Sequence, residues 1–486
     1  MKFATPEQMG ISSRHVLAFY QALERQHLTT HAVILSRGDR IFSEHYWAPI
    51  TVDFKHRMYS VTKSFVSIAI GFCQQDGLLS LDDPLMKFFP EYADGCHHSS
   101  TIREMLQMTT DLDKGGSWFA SGTDDRVGYY FTRAAQKHPD ALFSYDSNGS
   151  FILCAVVEKL TGKPFLKYLQ EKCLDDIGFS KDAYCLACPG GHSWGDSGLM
   201  CTARDLWRFC RFVLNKGTWN GKRYLNEEYI TQATGVITPN NPYGFANAHS
   251  VYGYGYQFWG APEGCFAAKG MAMQVGFCDP KHDLVFVINS NNIGNDLKYE
   301  PIYQALYTQI LPNLGDPLPE DPQNYQLLQD YLAQLMLFCL YESKESPVSA
   351  KVSGKTFLCQ TNPMGIRWFR LDFTENEGTF TYENDQGEKV MPFGFGHNVF
   401  AKFPQEGYSD MVGTVSAPGN YYDAAFSADW PSQRTLRLRV QIMDKYMGNL
   451  SILFGFRDEN TVSVAMQKAA EDFLKEYAGI LNATAK

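Results

Sequence analysis

This sequence has little of what marks membrane and nucleic-acid proteins. The longest apolar run, at residues 65–73, is far shorter than the ~20 residues that span a bilayer. Lysine and arginine total 43 against 53 acidic residues, which gives a net charge of −10. A nucleic-acid-binding protein needs a basic face, and this balance argues against one. We therefore expect neither a membrane nor a nucleic-acid partner.

The chain also lacks a recognisable leader and a tight cysteine framework. Its first residues, MKFATPEQMG, contain no apolar stretch of the 7–15 residues typical of a signal peptide, so we expect a cytoplasmic protein or a mature form whose leader was removed. In a cytosolic protein most of the twelve cysteines would be free, buried thiols. Cys185 and Cys188 form a C-x-x-C near His192, and Cys96 precedes two histidines. Because no second C-x-x-C completes a zinc set, we interpret these residues as core and expect no metal.

The composition predicts a globular protein of two or three domains. A proline-rich stretch, LPNLGDPLPEDP, has the composition of a linker. Beyond it, segments such as IRWFRLDF and TLRLRVQI alternate at strand spacing. We predict a first domain over residues 1–312, a linker over 313–325 and a β-rich accessory domain over 326–486. Helices near 325–341 and 466–481 are expected to begin and close the accessory domain.

Periodicity and turn residues predict the elements of the first part of the chain. Two β-rich runs in residues 31–47 flank Arg37-Gly38-Asp39 and indicate a hairpin. In the helix that follows Tyr59, the apolar positions have helical spacing and Gly77 is a suitable C-terminal residue. Further helices are predicted at 101–109, 148–162, 202–215 and 299–311, and strands at 252–260, 265–279 and 284–290.

Ser60 and Lys63 form an S-x-x-K at the start of an apolar helix, in YSVTKSFVSIAIGFCQQDG. A helix N-terminus offers unpaired backbone N–H groups and the positive end of the helix dipole. Residues three apart share a helix face, so Lys63 can reach Ser60. An apolar site favours the neutral amine, which can act as a base. The alternative is a capped helix with a solvated lysine.

A second serine competes for the role of nucleophile. Gly191-His192-Ser193-Trp194-Gly195 matches G-x-S-x-G, the nucleophile elbow of α/β-hydrolases. That motif requires a sharp turn from a strand into a helix, whereas here CPGG precedes it and no helix is predicted before about Thr202. We interpret this segment as a surface or cleft loop.

Two further segments can complete a site around Ser60. Tyr145 lies just before a predicted helix in FSYDSNGSFILCAVVEKLTG, where a phenol near an ammonium could relay the serine proton. Gly270, in AAKGMAMQVGFCD, would allow close approach to the backbone of an edge strand. The N–H groups of Met271 and Ser60 could then form an oxyanion hole.

With these pieces in order, residues 5–310 resemble the serine β-lactamase, penicillin-binding protein and esterase superfamily, in its class C-like branch. The segments that carry the resemblance are LSRGDRIFSEHYW, YSVTKSFVSIAIGFCQQDGLLSLDDPL, TIREMLQMTT, FSYDSNGSFILCAVVEKLTG, DSGLMCTARDLWRFCRFVLNKGTWNGKRYL and GMAMQVGFCDPKHDLVFVINSN. The resemblance implies an α+β fold, with an antiparallel sheet flanked by helices, a helical subdomain and the site between them. The β-rich tail more loosely resembles lipocalin-like accessory domains.

The resemblance also assigns roles. Ser60 matches the acylated nucleophile, Lys63 the motif lysine and Tyr145 the tyrosine of Y-x-N. Two differences from the usual motifs of the family argue against a penicillin-hydrolysing enzyme. Ser147 stands where asparagine is usual, as in the esterase and oligoamide-hydrolase variants, and Lys269 directly precedes Gly270 instead of standing two residues before it. On a strand this shift turns the lysine to the opposite face, away from a substrate carboxylate.

These observations predict a serine hydrolase that forms an acyl-enzyme with a small ester or amide. No metal or organic cofactor is expected, and a homo-oligomer is compatible with the sequence. Gly270, Met271, Ser147 and Lys269 are the candidate oxyanion and substrate-binding residues. The alternative is a penicillin-binding or sensor-type module that is acylated with little or no turnover.

Overall fold

The computed structural model describes the chain except for residues 95–97, 113–117, 119–120, 241–251, 295–298, 409–415 and 471–473. Its contacts divide the chain into two units. Unit 1 contains Met1–Ser290 and continues to Met336, and unit 2 contains most of the chain from Leu337 onward together with the segment that begins at Asn291. The predicted domain bounds stay a prediction, and unit 1 extends beyond them.

A seven-stranded sheet forms the centre of unit 1. The strands of this unit are β1 (Lys2–Phe3), β2 (Thr30–Arg37), β3 (Arg40–Tyr46), β4 (His56–Arg57), β5 (Tyr184–Cys185), β6 (Leu199–Cys201), β7 (Thr218–Trp219), β8 (Lys222–Arg223), β9 (Trp259–Gly260), β10 (Phe266–Gly270), β11 (Gln274–Asp279) and β12 (Leu284–Ser290). The sheet has the order β1-β3-β2-β12-β11-β10-β9, and only the β1–β3 pair is parallel. Strands β10 to β12 and β2 are almost wholly buried, as expected for a sheet covered on both faces.

Helices cover this sheet and form a separate helical layer. They are α1 (Ser13–Glu24), α2 (Thr62–Gln75), α3 (Ile102–Gln107), α4 (Arg126–Phe131), α5 (Ser147–Thr161), α6 (Phe165–Leu169), α7 (Ala203–Leu214), α8 (Glu227–Thr234), α9 (Glu300–Ala305) and α10 (Pro322–Leu332). Helix α7 packs on β2, β11 and β12, whereas Phe19 of α1 contacts Phe286 and Tyr303 of α9 contacts Phe277. Helices α2, α3, α4 and α6 pack around α5 or beside it. Because α10 packs on α1, this helix belongs to unit 1.

Local sequence signals account for several of these elements. Strands β2 and β3 form the predicted hairpin, with Gly38 in the left-handed region at φ 58°. Helix α2 ends before Gly77, whose φ is 73°. Helix α7 begins with a capping box in which the Thr202 side chain accepts from Asp205 N. The antiparallel sheet flanked by helices is therefore confirmed.

Two predicted strand segments differ from the structure. In residues 252–260 only Trp259–Gly260 is a strand, since the glycines at 253 and 255 make turns beside Thr238 and Phe258. The segment 265–279 forms two strands separated by a short turn at Met271–Met273. This turn directly follows Gly270, a candidate site residue.

Unit 2 is a closed sheet, and its described residues include one α-helix, α11 (Ser349–Val352). Its strands are β13 (Thr356–Cys359), β14 (Trp368–Phe373), β15 (Glu377–Asn384), β16 (Gly387–Phe395), β17 (Val399–Tyr408), β18 (Ser416–Ser432), β19 (Thr435–Ile442), β20 (Gly448–Asp458), β21 (Thr461–Ala470) and β22 (Gly479–Ala485). Nine of them close into a ring through the β16–β18 pair, and β17 adds to β18. The β-rich character of the accessory part is thus confirmed.

The predicted closing helix near 466–481 is wrong. Strand β21 begins the segment, a short 3-10 turn follows at Lys475–Tyr477, and β22 completes it. In β21 the buried residues Val462, Val464 and Met466 recur with a period of two, which fits a strand with one inward face. Among the described helices, none combines the length and apolarity that crossing a bilayer requires.

Candidate active site

Ser60 lies in a 3-10 turn, Tyr59–Val61, that leads directly into α2. Its side chain is partly exposed, whereas Lys63 is only 1% exposed. Lys63 Nζ lies 2.9 Å from Ser60 Oγ, within hydrogen-bond distance. The predicted serine–lysine pair is therefore formed at the N-terminus of a helix, with the lysine in the core and the serine at the surface.

The backbone that presents Ser60 is strained and firmly held. Tyr59 has a φ of 48°, a region that is unfavourable for a residue with a bulky side chain. The buried guanidinium of Arg57 lies 4.2 Å from the centre of the Tyr59 ring and 4.0 Å from that of Trp194. Arg57 Nε also donates to Ser197 O at 3.1 Å. These contacts fix the turn against the loop that follows Trp194.

That loop supplies a second acceptor for Lys63. Lys63 Nζ donates to the backbone oxygen of Asp196 at 2.7 Å. A neutral lysine amine has two hydrogens and one lone pair. If one hydrogen is held by Asp196 O, the lone pair can turn toward the Ser60 hydroxyl. The geometry therefore suits proton transfer from serine to lysine.

Tyr145 reaches the same place from the start of α5. Lys63 Nζ lies 5.3 Å from the centre of the Tyr145 ring. The ring stacks on Trp259 at 5.5 Å and packs against a buried cluster that also contains Phe143 and Tyr254. Tyr145 is thus brought close to Lys63, although the two residues are far apart in the sequence.

Neither of the two residues that follow Asp146 places an amide side chain where the asparagine of a Y-x-N motif would have it. Asp146 caps α5 by accepting from Asn148 N at 3.0 Å. Ser147 is partly exposed, and its hydroxyl forms no hydrogen bond within the described part of the chain. Asn148 is buried, and its Oδ1 accepts from Arg126 Nη2 at 3.1 Å. Asn148 therefore faces the core and does not replace the missing asparagine at position 147.

Gly270 ends β10 against the serine turn. A Cβ at this position would lie 2.3 Å from Met58 O and 3.2 Å from Ser60 N. Only glycine therefore permits this approach of two backbones. The next residue, Met271, is 40% exposed and follows directly after this close approach to Ser60. This arrangement is compatible with the predicted pair of oxyanion donors.

The turn after Met271 is strained and is held by buried polar side chains. Ala272 and Met273 have φ values of 60° and 64°. Ser290 Oγ lies 2.5 Å from Ala272 O and 3.1 Å from Met273 O. Gln274 Nε2 donates to Ser290 O at 2.5 Å, and Gln274 Oε1 accepts from Asn289 Nδ2 at 2.8 Å. All three polar residues are completely buried, so the turn has little freedom to relax.

Lys269 is buried among aromatic rings. Its Nζ is 5.1–5.8 Å from the ring centres of Trp259, Tyr299 and Tyr303, and the residue is 4% exposed. Such ring faces attract an ammonium group. Burial nevertheless lowers the pKa of Lys269 to about 7. This position argues against a role for Lys269 as the partner of a substrate carboxylate.

The rival serine lacks the context of an elbow. Ser193 pairs with Ala187 in an isolated bridge, and the next helix, α7, begins ten residues later at Ala203. Its hydroxyl makes no hydrogen bond to any residue that the structure describes, although His192 Nδ1 lies 2.9 Å from Glu158 Oε2. Cys188 accepts from Arg126 in the core, and Cys96 lies outside the described residues.

Sequence reasoning missed four residues that shape the site. Asp196 holds Lys63, Arg126 joins Asp196 to Asn148, Trp259 stacks on Tyr145, and Tyr299 donates to Gly270 O at 2.7 Å. Tyr299 and Trp259 had a signal, because both stand in aromatic-rich segments. Arg126 and Asp196 had none, since ion pairs between distant segments leave no spacing pattern in one sequence.

Comparison with known proteins agrees with this geometry. The beta-lactamase family profile matches residues 18–309. The chain is 25% identical over 280 residues to 6-aminohexanoate-dimer hydrolase of Paenarthrobacter ureafaciens, covering 53% of this chain and 71% of that protein. It is 25% identical over 211 residues to esterase EstB of Burkholderia gladioli, covering 37% and 53%. The structure of SurE with D-Leu superposes with a TM-score of 0.51 at 16% identity, covering 96% of this chain and 99% of SurE. The chain belongs to the beta-lactamase family.

Proposed function

We propose that this protein is a serine hydrolase that forms an acyl-enzyme at Ser60 with a small ester or amide. The observation that carries the proposal is the hydrogen bond of 2.9 Å between Lys63 Nζ and Ser60 Oγ, with the Tyr145 ring 5.3 Å from the same amine. A hydroxyl, an amine and a phenol at one helix terminus are the parts that nucleophilic catalysis by serine needs.

In the first half-reaction, Ser60 Oγ forms a bond to the carbonyl carbon of the substrate. Lys63, with Tyr145, accepts the hydroxyl proton and returns it to the departing alcohol or amine as the bond to the leaving group breaks. A water molecule then attacks the acyl-enzyme, which releases the acid and restores the Ser60 hydroxyl. The amine and the phenol are proposed to share the role of base, because the Lys63 amine lies 5.3 Å from the centre of the Tyr145 ring.

The oxyanion of each tetrahedral intermediate would lie between the N–H groups of Ser60 and Met271. Losing one such donor typically costs ~3 kcal/mol of transition-state stabilisation. The approach of Gly270 to Ser60 N supports this assignment, since it brings the end of β10 against the serine turn. Gly270 is thus proposed to act through its lack of a side chain.

The substrate class is proposed from the names of the relatives and from the two differences from the usual motifs, at Ser147 and Lys269. One relative is named for an oligoamide dimer and another as an esterase. Ser147 offers a hydroxyl where an amide side chain would be, and Lys269 is enclosed by rings. We therefore favour linear esters and amides over β-lactams.

Cytoplasmic location is proposed because all eleven described cysteines are free thiols, and a homo-oligomer stays a prediction.

A fluorophosphonate probe and p-nitrophenyl esters test the proposal. We expect one label per chain and steady turnover, both abolished in Ser60→Ala and both retained in the matched variant Ser193→Ala. Turnover that survives Ser60→Ala but is lost in Ser193→Ala would assign the nucleophile to the G-x-S-x-G loop. Stoichiometric labelling without turnover of short esters, linear amides or D-amino-acid peptides would instead indicate a penicillin-binding or sensor-type module.

A further inference from the structure

Two loops that are distant in sequence meet at the amine of Lys63. One provides Asp196 O, 2.7 Å from Lys63 Nζ and 133 residues away in the chain. The other leads into α5 and provides Tyr145, whose ring centre is 5.3 Å from the same atom. Whatever fixes these loops relative to each other also fixes the hydrogen-bond geometry of the proposed base.

Arg126 of α4 lies between the two loops and binds both. Its Nη1 is 2.8 Å from Asp196 Oδ1, and its Nε and Nη2 donate to Asn148 Oδ1 at 3.3 and 3.1 Å. Asn148 stands three residues after Tyr145, in the first turn of α5. One planar guanidinium, with donors in a fixed fork, therefore spans the two segments.

The environment of Arg126 leaves it little freedom to move. Its side chain is 3% exposed and that of Asp196 is 6% exposed. The guanidinium carbon lies 4.3 Å from the centre of the Phe151 ring and 5.4 Å from that of Trp118. Burial by itself disfavours the charge, but Asp196 and Cys188 hold the pKa of Arg126 above its ordinary value. Arg126 therefore keeps its charge throughout the pH range of an assay.

We propose that Arg126 is a positioning residue, which joins Asp196 to Asn148 and so holds the acceptor of Lys63 and the Tyr145 turn in one frame. It touches neither substrate nor Ser60, and the proposal rests on the proposed function of Ser60 and Lys63. Without the guanidinium, the Asp196 carboxylate would be buried without its partner, so its loop would move to reach water. A displacement of about 1 Å at a catalytic group can cost about 10²-fold in rate.

The test compares Arg126→Met, Asp196→Asn and their combination with the wild-type protein. The fluorophosphonate probe counts competent serines, so that kcat per labelled site is independent of how much protein has folded. We expect Arg126→Met to lower kcat about 10- to 100-fold with KM changed less than about threefold. The double variant should recover only part of this loss, because the unpaired buried carboxylate is gone but the link to Asn148 is still missing.

Arg211→Met is the matched control. Arg211 is also 3% exposed and paired with a carboxylate, Asp283, but it lies on α7 against the sheet. It should lower the melting temperature comparably and leave kcat per labelled site within about twofold of wild type. If Arg126→Met fails to fold, Asn148→Ala, which removes only the acceptor on α5, should lower kcat about 10-fold.

The proposal is overturned if every foldable variant among Arg126→Met and Asn148→Ala keeps the wild-type kcat per labelled site. It is also overturned if the double variant is as fast as the wild-type protein, since the defect of Arg126→Met would then come from the unpaired carboxylate alone and not from the missing link to Asn148. These outcomes differ from a failure of the proposed function, in which the wild-type protein itself would show no turnover or Ser60→Ala would retain it.

Discussion

The two sides of the candidate site are held in different ways. On the helical side, each contact involves a side chain: Lys63 donates to the backbone oxygen of Asp196, and the Arg126 side chain joins Asp196 to the start of α5. On the sheet side, backbone lies directly against backbone, with Gly270 at the serine turn and a strained turn beyond it supported by Ser290. The proposed proton-transfer groups are on the first side and the proposed Met271 donor is on the second.

This difference has a physical reason. Proton transfer needs flexible side chains whose amine and hydroxyl can reorient, so their freedom is limited by hydrogen bonds and ion pairs. An oxyanion hole needs dipoles that do not reorganise during the reaction, and rigid backbone supplies them. We therefore expect kcat to be most sensitive to the loss of functional groups on the helical side. On the sheet side, we expect it to be most sensitive to added atoms.

The largest effect is expected on the helical side. Lys63→Met should lower kcat about 10³- to 10⁴-fold, because the proposed base is lost while an apolar side chain still fills the core. Tyr145→Phe, which keeps the ring stacked on Trp259, should cost about 10²-fold. Steady-state kinetics on p-nitrophenyl esters would measure both. In the control Lys87→Met, at an exposed surface lysine, the rate should not change; a Lys63→Met enzyme of full activity would remove the amine from the mechanism.

On the sheet side, adding one methyl group should be enough to lower kcat. Gly270→Ala places a Cβ 2.3 Å from Met58 O, a backbone atom that cannot move aside alone. The β10 end must retreat from Ser60, and we expect kcat to fall about 10²- to 10³-fold through loss of oxyanion stabilisation. Gly315→Ala is the control, because a Cβ there meets nothing within 4 Å. Equal rates for the two variants would contradict the division between the two sides.

A smaller effect should follow from loosening the strained turn. Ser290→Ala removes the hydroxyl that lies within hydrogen-bond distance of Ala272 O and Met273 O, so the turn after Met271 can relax. We expect kcat to fall about 10-fold, which corresponds to about 1.4 kcal/mol. Ser36→Ala deletes another fully buried serine hydroxyl, at the face covered by α7, and should affect stability only. Stopped-flow measurement of acylation would show whether the loss lies in the step that forms the oxyanion.

The smallest effect on catalysis is expected at Lys269, where stability should respond instead. Burial lowers the pKa of Lys269 to about 7, whereas the unfolded lysine keeps its proton to about pH 10.4. Between these values the unfolded state binds more protons, so this residue makes the free energy of unfolding rise with pH. Lys269→Met should therefore stabilise the protein by about 1–4 kcal/mol at pH 6 and by less as the pH approaches 10.

Thermal or urea unfolding of wild type and Lys269→Met across pH 6–10 measures this difference. Ester turnover at each pH should stay within about twofold, because Lys269 lies among aromatic rings and has no role in the proposed mechanism. A stability difference that did not shrink with rising pH would mean that Lys269 is not deprotonated in the folded protein.

The sequence predicted elements that are specified locally. The hairpin at 31–47, the helices that begin at Thr62, Ser147 and Ala203, and the strand at 284–290 follow from periodicity, caps and turn residues, whereas the segment 265–279 is divided by the turn at Met271–Met273. The predicted closing helix at 466–481 was wrong because a short apolar segment fits both the helical and the strand periodicity. Pairing with β20 makes the start of this segment a strand. The strand expected at 252–260 is mostly turns, because Gly253 and Gly255 serve close backbone contacts there.

By itself, the sequence determined the candidate residues for the proposed chemistry. Ser60, Lys63, Tyr145 and Gly270 stand in segments whose spacing and glycine, together with the family resemblance, indicated their proposed roles. Only the tertiary structure decided how these groups meet, that Asn148 turns to Arg126, and that Lys269 is enclosed by aromatic rings. The physical reason is that a short segment specifies its own backbone, whereas ion pairs and ring stacks depend on partners more than a hundred residues away.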